Sequence, residues 1–87
     1  MNNEPETVIV TVGYISAKIS IDMELPANLP VAKVKVQTLE ILKNIYAGIF
    51  SNWANCNLIY GNHFLSDDEN LTTANVYDGS YLYIAKF

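Results

Sequence analysis

Residues 7–12 read Thr-Val-Ile-Val-Thr-Val, an unbroken run of β-branched side chains, and no other stretch constrains the fold of this chain as strongly. Two heavy atoms on each Cβ crowd a helical turn but sit well on a pleated strand. Residues 13–17 are expected to supply a turn. Residues 19–25, Ile-Ser-Ile-Asp-Met-Glu-Leu, then alternate apolar with polar, the mark of a strand with one solvated face. The two segments predict a β-hairpin with one side to bury, and the rest of the chain has to supply the cover.

A single helix is the predicted cover. Pro26 and Pro30 punctuate the chain after the hairpin, and Pro30 suits the first turn of a helix, where its missing N–H would have had no partner. From residue 31 to 49, Val31, Val34, Leu42, Ile45 and Ile49 fall on one stripe flanked by Leu39, Ile41 and Tyr46. Lys33, Gln37, Glu40 and Asn44 lie opposite, Thr38 falls within the stripe, and Val36 falls on the polar side. Gly48 is the expected stop. Trp53, in the loop that follows, is expected to cover the open end of the core. Residues 58–60 read as a short strand broken by Gly61 and Asn62, and residues 63–65 as a brief edge strand. Asn70 is placed to cap a helical turn over residues 71–74. After a turn at Asp78 and Gly79, residues 80–86 alternate as a final strand. The order predicts an α+β domain: a mixed sheet of four to five strands with one helix packed across it, the first and last strands parallel at its centre. Periodicity alone leaves this topology open against other small α+β arrangements.

Composition narrows the classes of function. With 87 residues, 51% apolar and 16% charged, the chain is sized for one domain with its own core, expected over residues 7–87 behind a flexible tail of residues 1–6. Cys56 is the only cysteine, which excludes an intramolecular disulfide and a multi-cysteine metal site and points to a reducing, cytoplasmic setting. The acidic N-terminus lacks the features of a signal peptide, and no apolar run approaches bilayer thickness, so membrane insertion is not expected. Net charge is −4 with five lysines and no arginine. Nucleic acid is therefore not an expected partner, since phosphate binding needs a clustered basic surface.

The second half of the chain carries a family likeness. Leu58-Ile59-Tyr60 resembles the Leu-Ile-Phe strand of ubiquitin, Leu65 and Leu71 resemble the two spaced leucines after it, and Leu82-Tyr83-Ile84 resembles its last strand, all without a gap. The segment Glu24-Leu-Pro-Ala-Asn-Leu-Pro30 resembles the YukD/EsaB proteins of type VII (WXG100) secretion loci. The resemblance implies a ubiquitin-like β-grasp domain. The final residues, Ala85-Lys86-Phe87, carry no Gly-Gly, the group through which ubiquitin and sulfur carriers form covalent bonds. The resemblance thus implies a non-conjugating, cytoplasmic accessory component of a bacterial type VII secretion system. It would be no enzyme, and would act by binding a protein partner such as a membrane component or ATPase of that system. A β-grasp structural subunit of a multi-subunit enzyme, such as an oxygenase complex, is the alternative; a modifier or sulfur carrier is disfavoured by Phe87. The identity of the partner and the oligomeric state stay open.

Strand parity turns this fold into a surface. If Val10, Val12, Leu58, Leu82 and Ile84 point inward, then Ile9, Ile59, Tyr81, Tyr83 and Ala85 share the outer face, with His63 and Phe64 at its rim. The resemblance places them on the face ubiquitin uses for recognition, with Ile59 at its central isoleucine and Tyr83 and Ala85 replacing its histidine and valine. Aromatic and apolar residues on a wet face mark partner surfaces, although tyrosine also favours strands for its own sake. No catalytic, cofactor or metal site is expected. His63 is the only histidine and has no second ligand near it in sequence, Cys56 has no histidine to activate it, and residues 67–69 lack the spaced oxygens of a calcium loop. Gly61 and Gly79 each stand alone in a turn and form no phosphate-binding loop.

Overall fold

In the computed structural model, which describes residues 6–86, the β-branched run forms β1 (Thr7–Tyr14), antiparallel to β2 (Ile19–Pro26) from Thr7↔Pro26 to Tyr14↔Ile19. Gly13 and Tyr14 belong to the strand and not to the turn. The connection is a 3-10 turn over Ile15–Ala17, closed by Lys18 in the left-handed region at φ 56°. Of the expected tail, residues 1–5 lie outside the described residues, as does Phe87. The carbonyl of Glu6 accepts the N–H of Ala27 at 2.8 Å, continuing the edge of the hairpin.

The cover is α1 (Val31–Ile45), followed by a one-turn helix, α2 (Ala47–Phe50). β3 (Cys56–Tyr60), β4 (His63–Phe64) and β5 (Tyr81–Lys86) complete a five-stranded sheet in the order β2-β1-β5-β3-β4. β5 runs parallel to β1, as expected from sequence, and antiparallel to β3. Val10, Val12, Leu58, Leu82 and Ile84 are buried beneath Val31, Val34, Leu39 and Leu42 of α1. Thr38 is fully buried among them, and its hydroxyl donates to the Val34 carbonyl at 2.8 Å, which satisfies the polar group locally.

The end of the helix departs from the expectation. The stripe was to run on to Ile49 with a stop at Gly48, but the helix breaks at Tyr46 (φ −127°, ψ 56°), leaving Ile45 and Ile49 exposed. The break resets the helical phase, so Phe50 turns inward in their place. It packs against Trp53, Tyr14 and Tyr46 with ring centroids 4.9, 5.5 and 6.5 Å away. The aromatic cluster closes one end of the core with large rings in tilted and edge-on contact. Trp53 is buried at the end of the core, as expected.

At the other end, α1 has no side-chain cap. Its free N–H groups at Val31 and Ala32 instead donate to the carbonyls of Glu69 and Asp67, at 2.8 and 3.0 Å. Lys35 adds an ion pair to Asp67 at 2.6 Å. The loop between β4 and β5 is thereby fastened to the helix, and Asn70 caps its own turn by accepting the N–H of Thr73 at 2.8 Å.

Candidate protein-binding face of the sheet

Pairing across the sheet fixes which side chains share its outer face. Phe64 pairs with Ile59, Ile59 with Tyr83, Tyr83 with Gly13, and Gly13 with Ser20, so these five form one row across all five strands. A second row joins Tyr81 to Thr11 and Asp22, and a third joins Ile9 to Glu24. Ala85 follows Tyr83 along β5 beside Asn57. Six of the seven residues singled out from sequence thus lie on one face. Ile9 and Phe64 are 53% and 60% exposed, Tyr81 and Tyr83 are 40% and 36% exposed, and Ile59 and Ala85 are half-buried between their neighbours.

His63 is not brought to this face. Its partner across the hairpin is Tyr60, whose ring packs against the core and whose hydroxyl donates to the Asn75 carbonyl at 3.2 Å. The two-residue turn at Gly61 and Asn62 sets that register, so His63 takes the side of Tyr60 and Phe64 the side of Ile59. His63 is exposed at the edge.

Tyr81 has a structural task as well. Its ring lies over Gly13, where an added Cβ would stand 2.8 and 2.9 Å from its Cε1 and Cζ atoms. The hydroxyl donates to Ser20 Oγ at 3.3 Å, so the side chain reaches across β1 to β2. Glycine at position 13 is what lets the ring lie flat, and the ring in turn covers backbone that a bare glycine would leave open. Tyr83 leans on Tyr81 with ring centroids 4.8 Å apart. The two tyrosines lie side by side as one aromatic surface on the outer face.

Beside Tyr83, Ile59 and Ala85 runs an open groove of about 460 Å³, whose other wall is Tyr14, Ile15 and Ser16. Ile15 is 74% exposed, the most exposed of the large apolar residues described, and sequence reasoning passed over it as part of a turn. Turns favour polar residues, glycine and proline, so an isoleucine at the tip of one was the available signal.

The β2 side of the same face is acidic. The hydroxyl of Thr11 donates to Asp22 at 2.6 Å, and that of Thr7 donates to Glu24. Asp78 accepts the backbone N–H of Ile9 at 2.8 Å. Among the described residues the only ion pair is Lys35–Asp67, on the helix side, so none of these three carboxylates has a cation beside it.

A second, smaller hollow of about 260 Å³ lies on the helix side between α1 and the segment before β3, lined by Lys35, Val36, Leu39 and Cys56. Cys56 is buried and donates weakly to the Lys35 carbonyl at 3.7 Å. Burial pushes its thiol up to about 11, against a smaller opposing pull from the Lys35 ammonium. A buried thiol held in its protonated form is a weak nucleophile. Among the described residues no group of three or more metal-ligating side chains comes together, and no helix is long and apolar enough to cross a membrane.

A five-stranded mixed sheet in this order, crossed by one helix, is the ubiquitin-like β-grasp fold. No family model and no curated protein matches this sequence. Among solved structures, the ubiquitin-like domain of the Mycobacterium tuberculosis type VII secretion protein EccD1 is similar, with 23% identity and a TM-score of 0.72 over 93% of this chain and 99% of that one. The EccD5 ubiquitin-like domain from Mycobacterium xenopi matches with 19% identity and a TM-score of 0.79, over 95% of this chain and 97% of that domain. A chain of the MycP5-free ESX-5 inner membrane complex matches with 24% identity and a TM-score of 0.75 over 95% of this chain, which spans only 21% of that longer one. Ubiquitin-like domains of type VII secretion proteins are thus among the structures that share this fold.

Proposed function

We propose that this chain is a non-conjugating, ubiquitin-like binding component of a type VII secretion system, working in the cytoplasm and using the outer face of its sheet to hold a protein partner of that system. The observation that carries this reading is an aromatic and apolar surface of exposed Tyr81 and Tyr83 with half-buried Ile59, and exposed Ile15 beside it, on the fold that secretion domains also use. An apolar, aromatic patch with defined geometry is what a partner surface requires, because little side-chain freedom is lost on binding.

Affinity capture of the tagged chain from its native cells, followed by mass spectrometry, tests the reading. Enrichment of a membrane component or ATPase of the secretion apparatus is expected. Stoichiometric recovery of oxidoreductase subunits instead would favour the bracing role in an enzyme complex and overturn the proposal.

A further inference from the structure

The outer face is divided by charge as well as by polarity. Along β5, Tyr81, Tyr83 and Ala85 follow one another at every second residue, about 6.8 Å apart. Ile59 and Phe64 continue the apolar surface to one side. On the other side, two strands away, stand Asp22 and Glu24, with Asp78 next to Ile9. The threonine hydroxyls aim the carboxylates of Asp22 and Glu24 without neutralising them, and no lysine among the described residues pairs with either. Among the described residues, a partner seated on the tyrosines therefore meets carboxylates with no cation paired to them along its β2 flank.

We propose that this face accepts an amphipathic α-helix of a protein partner, its apolar stripe lying along Tyr81, Tyr83 and Ala85 and a flank of lysine or arginine facing Asp22 and Glu24. Residues four apart on a helix are separated by about 6 Å, close to the spacing of the platform residues on β5. A helix about 10 Å wide laid along β5 covers its two neighbours β3 and β1 at a strand spacing of about 4.8 Å, and a long lysine or arginine side chain on its flank reaches across the one further spacing to β2. The acidic flank selects the sign of the partner and the groove beside Ile15 selects its apolar anchors, a division between specificity and affinity common to protein interfaces. The inference rests on the reading of this face as the partner surface, but not on the secretion setting.

Two synthetic helical peptides with the same leucine stripe, one flanked by lysine and one by glutamate, test it against the isotopically labelled protein by NMR titration. The lysine peptide should shift resonances of β1, β5 and β3, with the glutamate peptide at least about tenfold weaker and the preference lost near 0.5 M salt, where screening lengths fall to about 4 Å. The double variant Asp22→Asn, Glu24→Gln keeps oxygens for the threonines to bond but removes the charge, and should weaken the lysine peptide about fivefold. Equal binding of both peptides would overturn the inference. So would shifts centred on the hollow near Val36 and Leu39, or shifts that grow with the concentration of the protein alone and so place a second copy on the face. Capture from native cells is read separately: secretion components retained by a protein indifferent to peptide charge would sink this inference and leave the functional reading standing.

Discussion

The two faces of the sheet are built from the same strands and both carry large apolar side chains, yet one is closed and the other open. Inward, Val10, Val12, Leu58, Leu82 and Ile84 are buried by α1 and by the aromatic cluster around Phe50. Outward, Ile9, Tyr81, Tyr83 and Phe64 are exposed and Ile59 is half-buried between its neighbours. Hydrophobicity alone does not separate the two sets, since isoleucine and aromatic rings occur in both. The connection between β2 and β3 crosses only one side of the sheet, and whatever that connection fails to cover remains available to another molecule. Substitutions on the inner side should therefore read out as stability, and those on the outer side as binding.

The largest effect is expected at Phe50. Truncation to alanine empties the closed end of the core and should cost about 3–5 kcal/mol, whereas Ile49→Ala, one residue earlier, should stay within about 0.5 kcal/mol. Urea unfolding of both variants checks the pair; similar losses would mean that the helix runs through Tyr46 after all. Leu82→Ala, at the centre of the sheet, should cost about 2–5 kcal/mol, and its neighbour Tyr83→Ser less than about 1 kcal/mol. Gly13→Ala sharpens the contrast by striking the outer face from below. The new methyl must lift the Tyr81 ring and break its hydrogen bond to Ser20, for about 1–2 kcal/mol, and NMR contacts between the Tyr81 ring and β2 should disappear.

Cys56 marks the closed side chemically. Its thiol is raised to about 11 in the folded protein, so the native chain should resist iodoacetamide at pH 8 and react fully only once unfolded. Because the folded value lies above the unfolded one, the contribution to stability is complete below the ordinary thiol range and is lost as pH rises toward 11. Cys56→Ala should flatten that alkaline decline in thermal melts. A small effect is also expected for Lys35→Met: Asp67 is solvent-exposed, and loss of the ion pair should change stability by no more than about 1 kcal/mol in denaturant titrations.

How far these faces could be read in advance depended on the kind of periodicity involved. Strand parity is a rule of two, so Val10 and Val12 were separated from Ile9 and Thr11 by counting, and the β1–β5 pairing in parallel followed once the family resemblance had chosen the topology. The helix end was less legible. Nothing in residues 45–50 breaks a helix by intrinsic preference except Gly48, and the actual break at Tyr46 arises because Phe50 gains Tyr14 and Trp53 as neighbours, contacts made across long stretches of sequence. His63 was misplaced on the rim because its side is set by the two-residue turn at Gly61 and Asn62, not by the alternation of β4 itself. Ile15 escaped notice for the opposite reason, being apolar where a turn was expected. The acidic residues of β2 were counted toward net charge, and only the register showed that they share a face with the tyrosines.

The claim that the inner face folds the domain and the outer face binds is tested most directly by one double variant, Ile59→Asp with Tyr83→Ser. Its thermal midpoint and amide spectrum should stay close to those of the parent chain, while capture of the protein partner from native cells should be lost. A variant that is demonstrably folded and still captures that partner would contradict the account and move the binding surface off the sheet, to the helix side near Val36 and Leu39.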